Sequence, residues 1–170
     1  QTLAKVLLLP ALYTHFFIEH NRGHHRHIAT PADPATARRD EIVYAFWWRS
    51  VTGGWLSAWR IEGHRLQRHA WWKRVVNNQM LRLQLMQVGA IVAVGVGLGS
   101  AALITWLTSA VVGFLLLETV NYVEHYGLLR ERLPNGRYER VAPKHSWTSD
   151  HPISRALLYE LPRHADHHAY

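Results

Sequence analysis

Residues 83 to 117 contain no Asp, Glu, Lys or Arg in 35 consecutive positions, although the stretches on either side are densely charged. A helix of that length would run roughly 52 Å at about 1.5 Å per residue, well beyond the ~30 Å of bilayer hydrocarbon. The pattern predicts either one strongly tilted span or two short spans folded back on each other. Gly95, Gly97, Gly99 and Ser100 sit in the middle of the run and favour a transmembrane hairpin over 83–117. A buried hairpin of a soluble protein is the competing reading. Upstream, the apolar run 6–17, interrupted by His15, is too short for a full span and reads as the tail of one. Asp33 is placed to cap a helix that begins at Pro34 and continues through Arg38, Glu41 and Tyr44 as far as Gly53. The predicted fold class is all-α, an integral membrane helical bundle, with residues 1–170 forming a single domain without repeats or flexible linkers.

Aromatic and basic residues flank the apolar run. Trp48, Trp55 and Trp59 recur near helical spacing among Arg49 and Arg60, and Trp71, Trp72 and Lys73 follow. This density of Trp with Arg suits the headgroup layer, where rings lie at the interface and guanidinium groups reach water. Stacking on single-stranded nucleic acid would use the same residues, but the adjoining charge-free run favours lipid and argues against a nucleic-acid partner. The chain carries +7 overall. Residues 19–82 hold eleven Arg/Lys against five acids, whereas 118–170 hold seven of each. A hairpin returns both segments to one side, and the excess of Arg/Lys makes that side cytoplasmic.

Cysteine is absent, which excludes disulfides, iron–sulfur ligation, a thiol nucleophile and thiolate zinc sites. Metal chemistry must therefore use nitrogen or oxygen, and histidine, 13 of 170 residues, is clustered. His20, His24 and His25 form H-x-x-x-H-H; His164, His167 and His168 form H-x-x-H-H. Spacings of three and four place imidazoles one turn apart on a helix face, where two nitrogens can meet one metal. The adjacent histidine points roughly 100° away and is available to a second metal, or to the same one from a distorted turn. His125, isolated in NYVEHYGL, makes a seventh candidate, and seven exceed what one tetrahedral zinc accepts. His15, His27, His64, His69, His145 and His151 read as ordinary surface or hydrogen-bonded histidines.

The strings EHNRGHHRHIATPADPATAR (19–38), YAFWWRSV (44–51), NYVEHYGLLR (121–130), HSWTSDH (145–151) and LPRHADHHA (161–169) resemble the integral-membrane alkane hydroxylases, or alkane 1-monooxygenases, of the non-haem di-iron class. The resemblance runs over essentially the whole chain. It implies a histidine-rich cytoplasmic site with two iron ions, for which His20, His24, His25, His125, His164, His167 and His168 match the family's ligand motifs. Glu19, Glu124 and Asp166, next to those ligands, are candidates to accept hydrogen bonds from imidazole N–H. The implied reaction is hydroxylation of the terminal carbon of n-alkanes to primary alcohols with O2. Its electrons would come from rubredoxin and its NAD(P)H-dependent reductase, with the protein multi-pass in the bacterial inner membrane. Arg38, Arg39 and Arg65 are the expected docking cations. The family's first box, of the type H-E-L-x-H, is missing here, and the chain begins without Met and stops at Tyr170; the resemblance thus implies an internal fragment of the hydroxylase domain. Three alternatives stay open: a membrane fatty-acid desaturase or hydroxylase, a xylene-type monooxygenase, and a non-catalytic membrane protein that stores or transports zinc.

Overall fold

The computed structural model describes residues 2–157 and 163–169, with the side chains of Leu157, Asp166, His168 and Ala169 outside the description. Among the described residues the structure is helical and contains no strand, only an isolated bridge between Arg132 and Tyr138. In chain order, α1 is Thr2–Leu8 and α2 is Phe16–Glu19, followed by a π-helical turn over His20–His24 and by α3, His25–His27. Helix α4 is Val43–Leu66, α5 Trp71–Val76 and α6 Gln79–His125. A 3₁₀ turn over Pro143–His145 precedes α7, Pro152–Leu157, and α8, His164–Ala169.

The chain divides into two compact units. The first comprises Gln1–Gly23 and Thr52–Leu117. Its core joins Ile18, Ala58, Met80 and Leu83, with Phe17, Trp59 and Ile61 packed around them. Glu62, fully buried in this unit, accepts hydrogen bonds from Arg22 (2.7 Å), from Arg65 (2.9 and 2.7 Å) and from the amide of Gln79 (2.8 Å), the first residue of α6. Asn78 supplies the side-chain cap to Leu81 N–H (2.9 Å).

Helix α6 is long and apolar enough to cross a membrane, and none of its most apolar window is buried within the protein. Val88, Val92, Val96, Leu98, Ile104, Val112 and Leu116 are exposed along it. It is not one straight rod. Gly99 has φ 83° and ψ 173°, a region that glycine alone occupies at low cost, and the helix breaks there. Beyond the break Leu103 lies against Gly95, and Tyr13 stacks on Phe114 (5.2 Å) while the adjacent Thr14 donates to Gln87 (2.8 Å).

The second unit comprises His24–Val51 and Glu118–Tyr170. Phe46, fully buried, meets the Tyr122 ring at 5.4 Å, and Trp47 Nε1–H donates to Thr119 (3.1 Å). The helix expected from Pro34 does not form; regular helix begins only at Val43. Asp33 does accept the Ala35 amide two residues on (3.0 Å), the start of an Asx turn that resembles an N-cap locally. Arg49 then holds the following backbone out of the helix. Its guanidinium donates to Pro34 O (2.9 Å) and Thr36 O (3.0 Å) and forms a two-pronged pair with Glu41 (2.7 Å each).

Candidate metal centre

His24, His125 and His164, from three elements remote in sequence, meet in the second unit with one ring nitrogen each lying within 4.8 Å of the others. All three are buried, at 1%, 0% and 2% exposure. His125 is the last residue of α6, His164 the first of α8, and His24 the end of the π turn. The His125 ring centroid lies 4.8 Å from that of His24 and 4.9 Å from that of His164.

The polar surroundings fix which nitrogen faces inward. His24 Nδ1–H donates to Asp33 Oδ2 (2.9 Å), since a carboxylate only accepts; this leaves His24 Nε2 with its lone pair exposed to the cluster. Burial alone would raise the Asp33 carboxyl, but His24, Thr36 and the Ala35 amide overcome that and hold it below the usual carboxylate range. Thr36 in turn accepts the Ala29 amide (2.9 Å), tying the 29–36 turn to the carboxylate. Glu124 Oε2 lies 3.4 Å from His164 Nδ1. Burial, followed by the neighbouring His125, His24, His167 and His25, pushes the His164 imidazole down to about 2. Burial, with His167 and His24, likewise lowers His25 to about 4. His164 and His25 are therefore neutral near pH 7, the state in which imidazole binds metal.

A metal ion fits this donor set. Burying three imidazoles together is costly unless something uses their lone pairs. His125 Nε2 and His164 Nε2 are 3.1 Å apart, close to the separation of two nitrogens each bound about 2.1 Å from one cation. An all-imidazole set suits Zn, Cu, Fe and Ni.

The other predicted site residues are placed as follows. His25, half-buried, has its ring 4.9 Å from that of His167, which is exposed; both sit apart from the buried trio, with His25 turned 78° from His24. Each histidine cluster is therefore divided. The i, i+3 pair His164 and His167 is divided between two groups, His164 lying with His24 and His125 while His167 stands beside His25. In the first unit, His20 is half-buried and stacked on Phe16 at 4.8 Å. Glu19 is buried there and accepts from Ser57 (3.4 Å). A side chain at Gly23 would collide with the Glu19 carboxylate, which accounts for the glycine between the histidines. His168 and Asp166 lie outside the described side chains. The sequence marks Asp33 only as a cap, and no local signal points to its second role beside His24. His145 is a structural residue, accepting the Ala142 amide (2.9 Å) and donating to Glu139 (3.0 Å).

Comparison with known proteins agrees with this chemistry. The family model described as "Fatty acid desaturase" matches residues 1–170. The chain is 45% identical over 168 residues to alkane 1-monooxygenase 1 of Alcanivorax borkumensis, covering 99% of this chain and 42% of that protein. It is 41% identical over 168 residues to the alkane 1-monooxygenase of Ectopseudomonas oleovorans, with the same coverage. The xylene/toluene monooxygenase hydroxylase component of Pseudomonas putida is 28% identical over 154 residues, covering 89% of this chain and 40% of its own length. The chain thus spans about two-fifths of the length of these relatives.

Proposed function

From the premise that the chain belongs to the fatty acid desaturase family, we propose that the protein of which it is part is a membrane alkane monooxygenase. It converts the terminal carbon of n-alkanes to a primary alcohol: one oxygen atom of O2 enters the alcohol, and the other leaves as water with two electrons and two protons. The observation that carries this reading is the buried His24, His125 and His164 cluster in a chain so similar to alkane 1-monooxygenases.

Two non-haem irons, when bound, supply the O2 activation and C–H oxidation. His24, His125 and His164 serve one metal position and His25 and His167 the other; the family's ligand motifs add His20 and His168. Asp33 fixes the His24 tautomer and so orients that ring before any metal arrives, while Glu124 lies 3.4 Å from His164 Nδ1. The surrounding burial excludes water from the inner face of the rings. The apolar run 83–117 forms a transmembrane hairpin, so that an alkane dissolved in the bilayer reaches a site on the cytoplasmic side of the inner membrane. Electrons arrive from rubredoxin, reduced by its NAD(P)H-dependent reductase, because a soluble carrier cannot enter the bilayer.

The test is turnover of the full-length protein supplied with rubredoxin, its reductase, NADH and octane, set beside an acyl-lipid substrate. The expected result is 1-octanol with matching O2 consumption. Acyl-lipid desaturation without octanol would move the protein to the desaturases. Stoichiometric zinc with no O2 consumption would make it a metal-binding membrane protein.

A further inference from the structure

The short helix α5 and its flanks carry a surface for which the oxygenation chemistry has no use. Trp71 and Trp72 are 76% and 51% exposed, and Val75 and Val76 are exposed beside them. Arg60, Arg68, Lys73 and Arg82 are also exposed, and among the described residues no carboxylate pairs with any of them. From residue 63 through residue 117 the sequence contains no Asp or Glu. Lys73 Nζ lies 5.1 Å from the centre of the Trp72 ring, so cation and aromatic share one surface.

The position of this surface is pinned. Arg74 folds its guanidinium back onto His69 O (2.8 Å) and Gln67 O, which holds α5 to the end of α4. Arg65 donates to Asn77 O (2.7 Å), and Glu62 accepts the Gln79 amide, so the turn from α5 into α6 is held from the α4 side. Only Asn77 and Asn78 separate α5 from the membrane-crossing helix. Trp71 and Trp72 therefore lie where an apolar helix leaves the hydrocarbon.

We propose that α5 and its flanking cations form a binding surface for anionic phospholipid, with Arg68, Lys73 and Arg82 on headgroup phosphates and Trp71, Trp72, Val75 and Val76 among the upper acyl chains. The occupant is argued from both halves of the surface. An acidic soluble protein would match the cations but would leave the tryptophans and valines beside them uncovered. A zwitterionic lipid would cover the apolar side chains but would not balance cations that have no acid within reach. The proposal rests on the membrane reading of α6.

The test reconstitutes the full-length protein in phosphatidylcholine vesicles carrying equal fractions of brominated phosphatidylglycerol or brominated phosphatidylcholine. The quenching due to Trp71 and Trp72 is taken as the difference between wild type and the W71F/W72F variant. Brominated phosphatidylglycerol is expected to quench that component about twofold or more beyond brominated phosphatidylcholine, since each surface cation favours anionic lipid by roughly five-fold. The triple variant Arg68→Gln, Lys73→Gln, Arg82→Gln should equalise the two, with octane turnover unchanged. Equal quenching in the wild type would overturn the anionic preference and leave the membrane reading intact. Absence of quenching by either lipid would overturn both and assign the cations to an acidic soluble partner.

Discussion

His24 and His25 are adjacent in the chain and identical in chemistry, yet one is buried against His125 and His164 while the other is half-buried against His167. The difference is rotational: successive helical residues diverge by roughly 100°, so neighbours on the chain face different partners. Replacing His125, the central ring of the buried trio, by Gln in the full-length protein is expected to lower bound iron measurably and abolish octane turnover. Unchanged metal content by elemental analysis would return His125 to a structural role. Asp33→Asn preserves shape but removes the negative charge that holds the His24 N–H, and is expected to weaken metal affinity by roughly 10- to 100-fold. A metal titration read against wild type measures it.

At the scale of elements, the break in α6 and the 131–145 segment each depend on one residue. Gly99 holds a conformation available at low cost only to glycine, and its missing Cβ would meet nothing within 4 Å, so Gly99→Ala tests backbone strain alone. A loss of about 1–3 kcal/mol is expected, read as a lowered Tm in detergent. Glu139 accepts from Lys144 (2.8 Å), His145 (3.0 Å) and the Glu131 amide (3.0 Å). These bonds, that from Lys144 foremost, hold its carboxyl down at about 2. A carboxyl depressed on folding contributes stability that is fully present above its unfolded value and is lost as pH falls from there toward about 2. The protection factor of the Glu131 amide, taken against the intrinsic exchange rate at each pH, is therefore expected to be constant near pH 6 and to fall as pH drops from about 4.5 toward about 2. Glu139→Gln should lower the protection at pH 6 and remove its dependence on pH.

At the scale of the whole molecule, the excess of positive charge lies in residues 19–82, where the proposed acidic electron donor would approach. Arg65, also expected to take part, is exposed but paired with Glu62 and bonded to Asn77 O. Arg38 and Arg39 are exposed, and the proposed docking of rubredoxin is tested on them. Oxidation of reduced rubredoxin by the full-length protein is expected to slow as salt shortens the screening length from about 10 Å at 0.1 M to about 3 Å at 1 M. Neutralising Arg38 and Arg39 together should flatten that dependence. An on-rate indifferent to both salt and substitution would place docking elsewhere.

The all-α class, the apolar span and the two histidine clusters were legible along the chain because each is set by local composition and period: charge exclusion over 35 residues, and imidazoles one turn apart. The glycine cluster in the apolar run likewise indicated where a break could form, though not that Gly99 would be the residue to adopt the left-handed conformation. Which histidines share a site was not legible, because the trio joins residues 24, 125 and 164, and no local rule specifies how elements so far apart pack. The same reason explains Asp33. An N-cap and an Asx turn begin with the same bond to the amide two residues on, and only Arg49, arriving from α4 to claim the Pro34 and Thr36 carbonyls, decides that no helix follows and that the carboxylate is left to His24.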